Sequence, residues 1–373
     1  MGSYEEFAVS GPTHMMAKIE GGSSPKKMIE IDWDNQEQRR CITACLVKGT
    51  YVQERDRTKV RQDRRVALAP PWWESFHFRQ HKILDCACNC VLCKIFGPST
   101  WFTYGAVFEY VPPDGVCRHP SAPRYIVAFR GTMPRDSTIF GDMRLNLRII
   151  LNKQHCCARF KDAGENVGDL LKSMPDNPSA VWLAGHSLGA SIALEVGRDM
   201  MLNGINLPTF LFNPPHVSLA PAADMLGVAE KAKQDVHIGS YFLKHAMGKT
   251  ILRPQQKHMK KVFEQLSPWV PELYVHQRDI ICKGFIDHFE LREQAQERFP
   301  RIARSAATLA YRDILHPCAV INLFGEKKGR QHLLPSARLW KNASLEGNAH
   351  DLRQWWQPEG PELVLSSKIY SWP

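Results

Sequence analysis

The segment Val181-Trp182-Leu183-Ala184-Gly185-His186-Ser187-Leu188-Gly189-Ala190-Ser191 restricts the possible folds more than any other part of the chain. An apolar run reaches a glycine, and one serine then sits between two glycines. The run reads as a buried strand. Residues 188–201 read as a helix, with Ile192, Val196 and Met200 on one face. Ser187 therefore falls on a sharp strand-to-helix turn, where side chains at 185 and 189 would strike the adjoining helix and strand. The five residues fit G-x-S-x-G, a pattern that holds a serine hydroxyl at the end of a sheet.

The flanking chain repeats the same alternation. Residues 104–111, 124–129, 144–149, 209–212, 272–276 and 337–341 read as strands, and residues 34–60, 160–174 and 290–305 as helices. Strands alternating with helices predict an α/β fold, with a mostly parallel central sheet covered by helices on both faces. Residues 1–31, rich in Gly, Ser and Pro, are expected to be a flexible N-terminal segment. Residues 32–373 are expected to form a single domain with insertions near 82–101 and 216–271.

Composition limits the class of protein. Of 373 residues, 44% are hydrophobic and 23% charged, ordinary for a globular chain with a large core. No apolar run approaches the roughly 20 residues of a membrane span. The N-terminal segment lacks the basic and apolar regions of a secretory signal. Glu6 occupies a position where myristoylation wants Ser or Thr. A cytoplasmic location, with room for peripheral membrane contact, is the expectation. The net charge of +10 suits an anionic membrane surface. Its basic residues are scattered and interrupted by acids, and no nucleic-acid motif accompanies them.

Three further signals fail on inspection. Cys86, Cys88, Cys90 and Cys93, with His77 and His81 nearby, superficially resemble a metal site. They form one tight group in an apolar context, without the second ligand cluster of a zinc site, so packing is the expected role. Gly248-Lys249-Thr250 ends like a phosphate-binding loop, but Leu243 stands where the first glycine belongs. Asn342-Ala343-Ser344 is a glycosylation sequon, with meaning only in a secreted chain. No metal or organic cofactor is expected.

A serine nucleophile needs a base to take its proton and an acid to orient that base. In the order Ser, acid, His, the acid follows a strand. Asp279 does so in ELYVHQRDII, whereas Asp287 lies in a helical pattern and Asp224 and Asp235 in the expected insertion. His350, in GNAHDLRQWW, follows the last expected strand. His332 precedes that strand, His316 stands before a proline, and His216 and His288 come too early. Oxyanion stabilisation needs two N–H groups. Leu188 offers one, and Arg130-Gly131-Thr132, ending the 124–129 strand, offers the second.

VAFRGT, GHSLGAS, FLFNPP, LYVHQRD and AHDLRQWW together resemble the plant branch of the class 3 (fungal-type) lipases. Some members carry the name GDSL esterase/lipase, although this chain holds no Gly-Asp-Ser-Leu run. The resemblance spans about residues 32–356. It implies an α/β-hydrolase fold, hydrolysis of lipid or other acyl esters, Ser187 as nucleophile, Asp279 as acid and His350 as base. It also implies Thr132 as an oxyanion residue and a lid at 133–143, here largely polar, while 82–101 looks inserted relative to the family. The rival reading is a lipase-like signalling scaffold without hydrolysis. A complete set of catalytic residues in order favours the enzyme.

Overall fold

The computed structural model of the chain describes residues 31–58, 72–88, 101–133, 158–216, 242–247, 249–250, 253–309 and 334–372. Among them, one sheet of eight strands follows the order of the chain. They are β1 (Phe78–Cys86), β2 (Phe102–Tyr110), β3 (Tyr125–Phe129), β4 (Val181–His186), β5 (Thr209–Phe212), β6 (Glu272–His276), β7 (Ala337–Asn342) and β8 (Leu365–Tyr370). From β3 to β7 neighbouring strands run parallel. Antiparallel β1 and β2 extend one edge, and antiparallel β8 closes the other.

The connecting helices are α1 (Gln36–Thr58), α2 (Ala158–Lys172), α3 (Leu188–Leu202), α4 (Arg253–Leu266), α5 (Gly284–Arg298) and α6 (Pro300–Ala306). Strands β3, β4 and β5 are buried throughout, because helices shield both sides of a parallel sheet. Alternate residues feed two cores. Val127, Leu183, Leu211 and Val275 pack with α2, α3, α4 and α5. Ile126, Trp182, Phe210 and Tyr274 pack with α1 and with two 3₁₀ turns, Trp72–Phe76 and Leu352–Trp356. The lopsided distribution has a topological cause. Parallel strands added in one direction by right-handed crossovers carry all their helices on one face.

Several boundaries differ from expectation. The polar edge strands β1 and β8 have little apolar signal, and β1 takes up residues 82–86 of the expected insertion. Helix α4 falls within the expected 216–271 insertion, yet Met259, Val262 and Phe263 sit in the main core, so this helix belongs to the β5–β6 crossover. The charged helix expected at 290–305 is two helices. Pro300 disfavours helical backbone at the residue before it, and Phe299 breaks to φ −141° and ψ 65°. The strand expected at 144–149 lies outside the described residues.

Cys86 packs in the main core, with Cys88 partly buried against it, while Cys90 and Cys93 lie outside the described residues. His77 meets the Tyr110 ring edge-on, and His81 lies against Tyr125. Among the described residues, no group of three or more His, Cys, Asp or Glu is arranged to hold a metal. No helix among them is long and apolar enough to cross a membrane.

Helix α1 is the main cover of the second core, with Cys41, Ile42, Cys45 and Leu46 fully buried. Truncating Ile42 to Ala should remove about 2–5 kcal/mol of stability, read from urea unfolding. A loss below about 1 kcal/mol, the range of ordinary surface changes, would mean that α1 is not seated on the sheet.

Candidate active site

Strand β4 ends at His186 and α3 begins at Leu188, leaving one residue to turn the chain. That residue, Ser187, adopts φ 53° and ψ −126°, a conformation an L-residue keeps only when its surroundings impose it. The surroundings are visible. A Cβ at Gly185 would run into the backbone of Gly189 and Ala190, and one at Gly189 into the backbone of Phe129 and Arg130. The Ser187 N–H donates to Phe212 O at 2.9 Å, and Ser187 O accepts from Ala190 N at 2.9 Å. The turn is thereby held to β5 on one side and to the new helix on the other. Leu188 opens α3, so its N–H is among those with no acceptor inside the helix.

Two other loops converge on this serine. His350 Nε2 lies 3.1 Å from Ser187 Oγ, and His350 Nδ1 lies 2.7 Å from Asp279 Oδ2. A carboxylate can only accept, so Nδ1 carries the proton and Nε2 presents its lone pair to the serine hydroxyl. Asp279 follows β6 in a turn whose N–H donates to His276 O at 3.0 Å. Its carboxylate is almost entirely buried. Oδ1 accepts the Ile281 N–H at 3.0 Å, while Oδ2 also accepts from Asn213 Nδ2 at 2.8 Å and Cys282 Sγ at 3.0 Å. Burial pushes the Asp279 pKa up, but the hydrogen bond and charge of His350, with the Cys282 and Ile281 donors, outweigh it. The carboxyl is held below its ordinary value.

Asn213 was not singled out by the sequence as a site residue. Its side chain links four elements at the foot of the site. Nδ2 donates to Asp279 Oδ2 and to Ala349 O at 3.0 Å, and Oδ1 accepts the Trp355 indole N–H at 2.6 Å. Its φ of 46° is tolerated by Asn better than by most residues. Arg278 secures the loop before His350, donating to Ser344 O at 3.2 Å and Glu346 O at 3.0 Å. The fully buried Cys282 thiol on the Asp279 carboxylate was equally unforeseen. Only the FLFNPP and AHDLRQWW runs hinted at Asn213 and Trp355.

The remaining candidates are placed as follows. Asp287 is in the first turn of α5. His216 and His288 lie near each other, their ring centroids 5.8 Å apart, and His216 packs against Phe285. His316, His332, Asp224 and Asp235 lie outside the described residues, as does the expected lid beyond Met133. Gly131 borders the serine, since a Cβ there would come within 2.8 Å of Ser187 Cβ. Half-buried Thr132 follows it.

The sequence is 30% identical over 386 aligned positions to a protein of Arabidopsis thaliana named GDSL esterase/lipase, with 99% of this chain and 98% of the relative covered. The chain belongs to that esterase/lipase family. No protein-family model matches it. In this member of the esterase/lipase family the serine at the end of the sheet lies in Gly185-His186-Ser187-Leu188-Gly189 and not in a Gly-Asp-Ser-Leu run.

The site is built beside buried, uncharged histidines. Burial, and then the neighbouring His350, lowers the pKa of His186 from 6.5 to about 3, and burial lowers that of His276 to about 4. An unfolded chain takes up protons on both residues near pH 6.5, whereas the folded chain keeps them neutral. The unfolded state then binds more protons, so stability is full above pH 6.5 and declines as pH falls toward 4. The urea midpoint should fall steadily through that window. A midpoint unchanged across it would show that these histidines are not buried in the neutral form.

Proposed function

We propose that this chain is a serine carboxylic ester hydrolase with an α/β-hydrolase fold of the class 3 lipase type. Ser187 serves as nucleophile, His350 as base and Asp279 as acid. The N–H groups of Thr132 and Leu188 serve as oxyanion donors. The observation that carries this reading is the unbroken path from Ser187 Oγ through His350 to the buried Asp279 carboxylate, starting at a serine in strained backbone. Two side chains approaching by chance would not need the third, nor would they meet at such a turn. The name of the Arabidopsis relative, and the resemblance of five sequence runs to class 3 lipases, point the same way.

The chemistry follows from this order. Ser187 Oγ attacks the ester carbonyl carbon while its proton passes to His350 Nε2. Asp279, already bound to the Nδ1 proton, stabilises the imidazolium without becoming protonated. The carbonyl oxygen gains the negative charge of the tetrahedral intermediate. It faces the start of α3, where free N–H groups and the helix dipole favour an anion. Collapse breaks the bond to the alcohol oxygen, which leaves with the proton from His350. An acyl group remains on Ser187. Water, deprotonated by the same histidine, then attacks the acyl carbon; the bond to Ser187 Oγ breaks, His350 returns its proton to that oxygen, and the carboxylic acid leaves. Side chains and backbone amides carry every step.

The substrate class that fits this reading is a lipid or other acyl ester, met in the cytoplasm or at an anionic membrane surface that the +10 charge would attract. Fluorophosphonate labelling followed by an acyl-chain-length series of nitrophenyl esters tests it. The wild-type protein should label at Ser187 and turn over at least one ester. Ser187→Ala should lose labelling and several orders of magnitude in turnover. A folded wild-type protein that neither labels nor hydrolyses would favour the non-catalytic scaffold.

A further inference from the structure

The hydrogen bonds around Gly131 lead away from the proposed site into helix α1 and back to it by a second route. The Gly131 N–H donates to Tyr51 Oη at 2.6 Å, and Gly131 O accepts from Arg130 Nη1 at 2.8 Å. Both polar groups of this residue are engaged. The peptide plane then fixes the direction of the Thr132 N–H, which points opposite to the Gly131 carbonyl. Arg130 is itself anchored, with Nε donating to Thr103 O at 2.5 Å and Nη2 standing 3.7 Å from the buried Glu54 carboxylate. A side chain at 131 would displace its surroundings, because its Cβ would meet Tyr51 Oη at 2.6 Å and the His186 carbonyl oxygen at 2.9 Å.

From Tyr51 the path continues to His186, the residue between Gly185 and Ser187. Tyr51 Oη lies 2.8 Å from His186 Nδ1, and His186 Nε2 lies 3.0 Å from the backbone carbonyl of His350. Proton positions follow without ambiguity. A carbonyl oxygen can only accept, so Nε2 carries the hydrogen. A neutral imidazole then has a lone pair on Nδ1, which requires the Tyr51 hydroxyl to donate. The phenol oxygen keeps its lone pairs for the Gly131 N–H. Burial holds His186 neutral and pushes the Tyr51 phenol well above its ordinary pKa, so both keep these roles.

We propose that Tyr51 and His186 are positioning residues for ester hydrolysis, joining the Gly131 N–H, one peptide before the Thr132 N–H, to the backbone of His350 by one directed chain of hydrogen bonds. The inference rests on the hydrolase reading above. Its physical content is a shared ruler. The proposed oxyanion donor at Thr132 and the proposed base at His350 are separated by more than half the chain. Tyr51 and His186 hold both against the same serine turn. Displacements of about 1 Å in such a constellation can lower turnover on the order of 100-fold while leaving binding of the acyl chain intact.

The test uses the full-length protein and a short nitrophenyl ester. Tyr51→Phe deletes a single oxygen and keeps the ring packing. It should lower kcat on the order of 10-fold to 100-fold, with KM changed less than about 3-fold, and slow fluorophosphonate labelling of Ser187 in parallel. His186→Gln keeps an amide donor and an acceptor, whereas His186→Phe keeps only the ring volume. The glutamine variant should therefore retain at least about 10-fold more kcat than the phenylalanine variant. A residue that merely fills space would give the reverse order. Tyr51→Phe carries the test alone if His186→Phe does not fold. A wild-type enzyme that is active, with Tyr51→Phe equal to it in kcat, overturns the positioning role and leaves the hydrolase reading intact. A wild-type protein without activity or labelling overturns both.

Discussion

A left-handed backbone angle at Ser187 is the constraint around which the molecule is arranged. Its φ of 53° is unfavourable for a residue with a side chain, and nothing local to the serine relieves it. The cost is met by packing on either side. Gly185 lets the first turn of α3 lie directly on β4, and Gly189 lets that helix touch the end of β3. Both contacts demand that β3 and β4 be parallel neighbours in register, with Phe129 opposite Gly185. Buried side chains on both faces of those strands keep them so. The sheet, its two cores and the first turn of α3 thus impose one unusual conformation on one residue.

A second constraint is electrostatic. Asp279 is buried, and an isolated carboxylate in such a place would take up a proton. Four donors prevent this: the Ile281 N–H, the Asn213 amide, the Cys282 thiol and His350. Asn213 comes from the end of β5 and also holds the Ala349 carbonyl, so one amide group fixes both the Asp279 carboxylate and the backbone next to His350. The 3₁₀ turn after His350 has a structural task as well. Trp355 and Trp356 are buried in the second core beneath α1, and the Trp355 indole donates to Asn213. Packing on the far face of the sheet is thereby coupled to the geometry of the histidine loop.

Much of this was readable in the sequence where periodicity and steric need coincide. The strand before Ser187, the helix after it and strands β3, β5 and β6 announce themselves as apolar runs with breakers at their ends. Asp279 and His350 were candidates by chain order once the serine turn was recognised, and the structure places His350 against Ser187 and Asp279 against His350. Edge strands β1 and β8 escaped because their exposed residues are polar and only one neighbour pairs with them. Helix α4 was hidden in a stretch whose apolar positions are few, although Met259 and Phe263 are fully buried. Tyr51, Asn213 and Cys282 escaped for a different reason. Each acts through a contact with residues 66 or more positions away or, for Cys282, through a role that no spacing rule assigns to a thiol. Such contacts exist only once the sheet has formed.

The most direct measurement of the proposed chemistry is rapid mixing of the protein with a nitrophenyl ester, followed by acid quench and peptide mass analysis. An acyl-enzyme route should release a burst of nitrophenol close to one equivalent per chain wherever deacylation is the slower step, and should leave the acyl group on the peptide that contains Ser187. Acylation of a different residue, or turnover with no acylated peptide under conditions that trap other serine acyl-enzymes, would contradict Ser187 as the nucleophile served by His350 and Asp279.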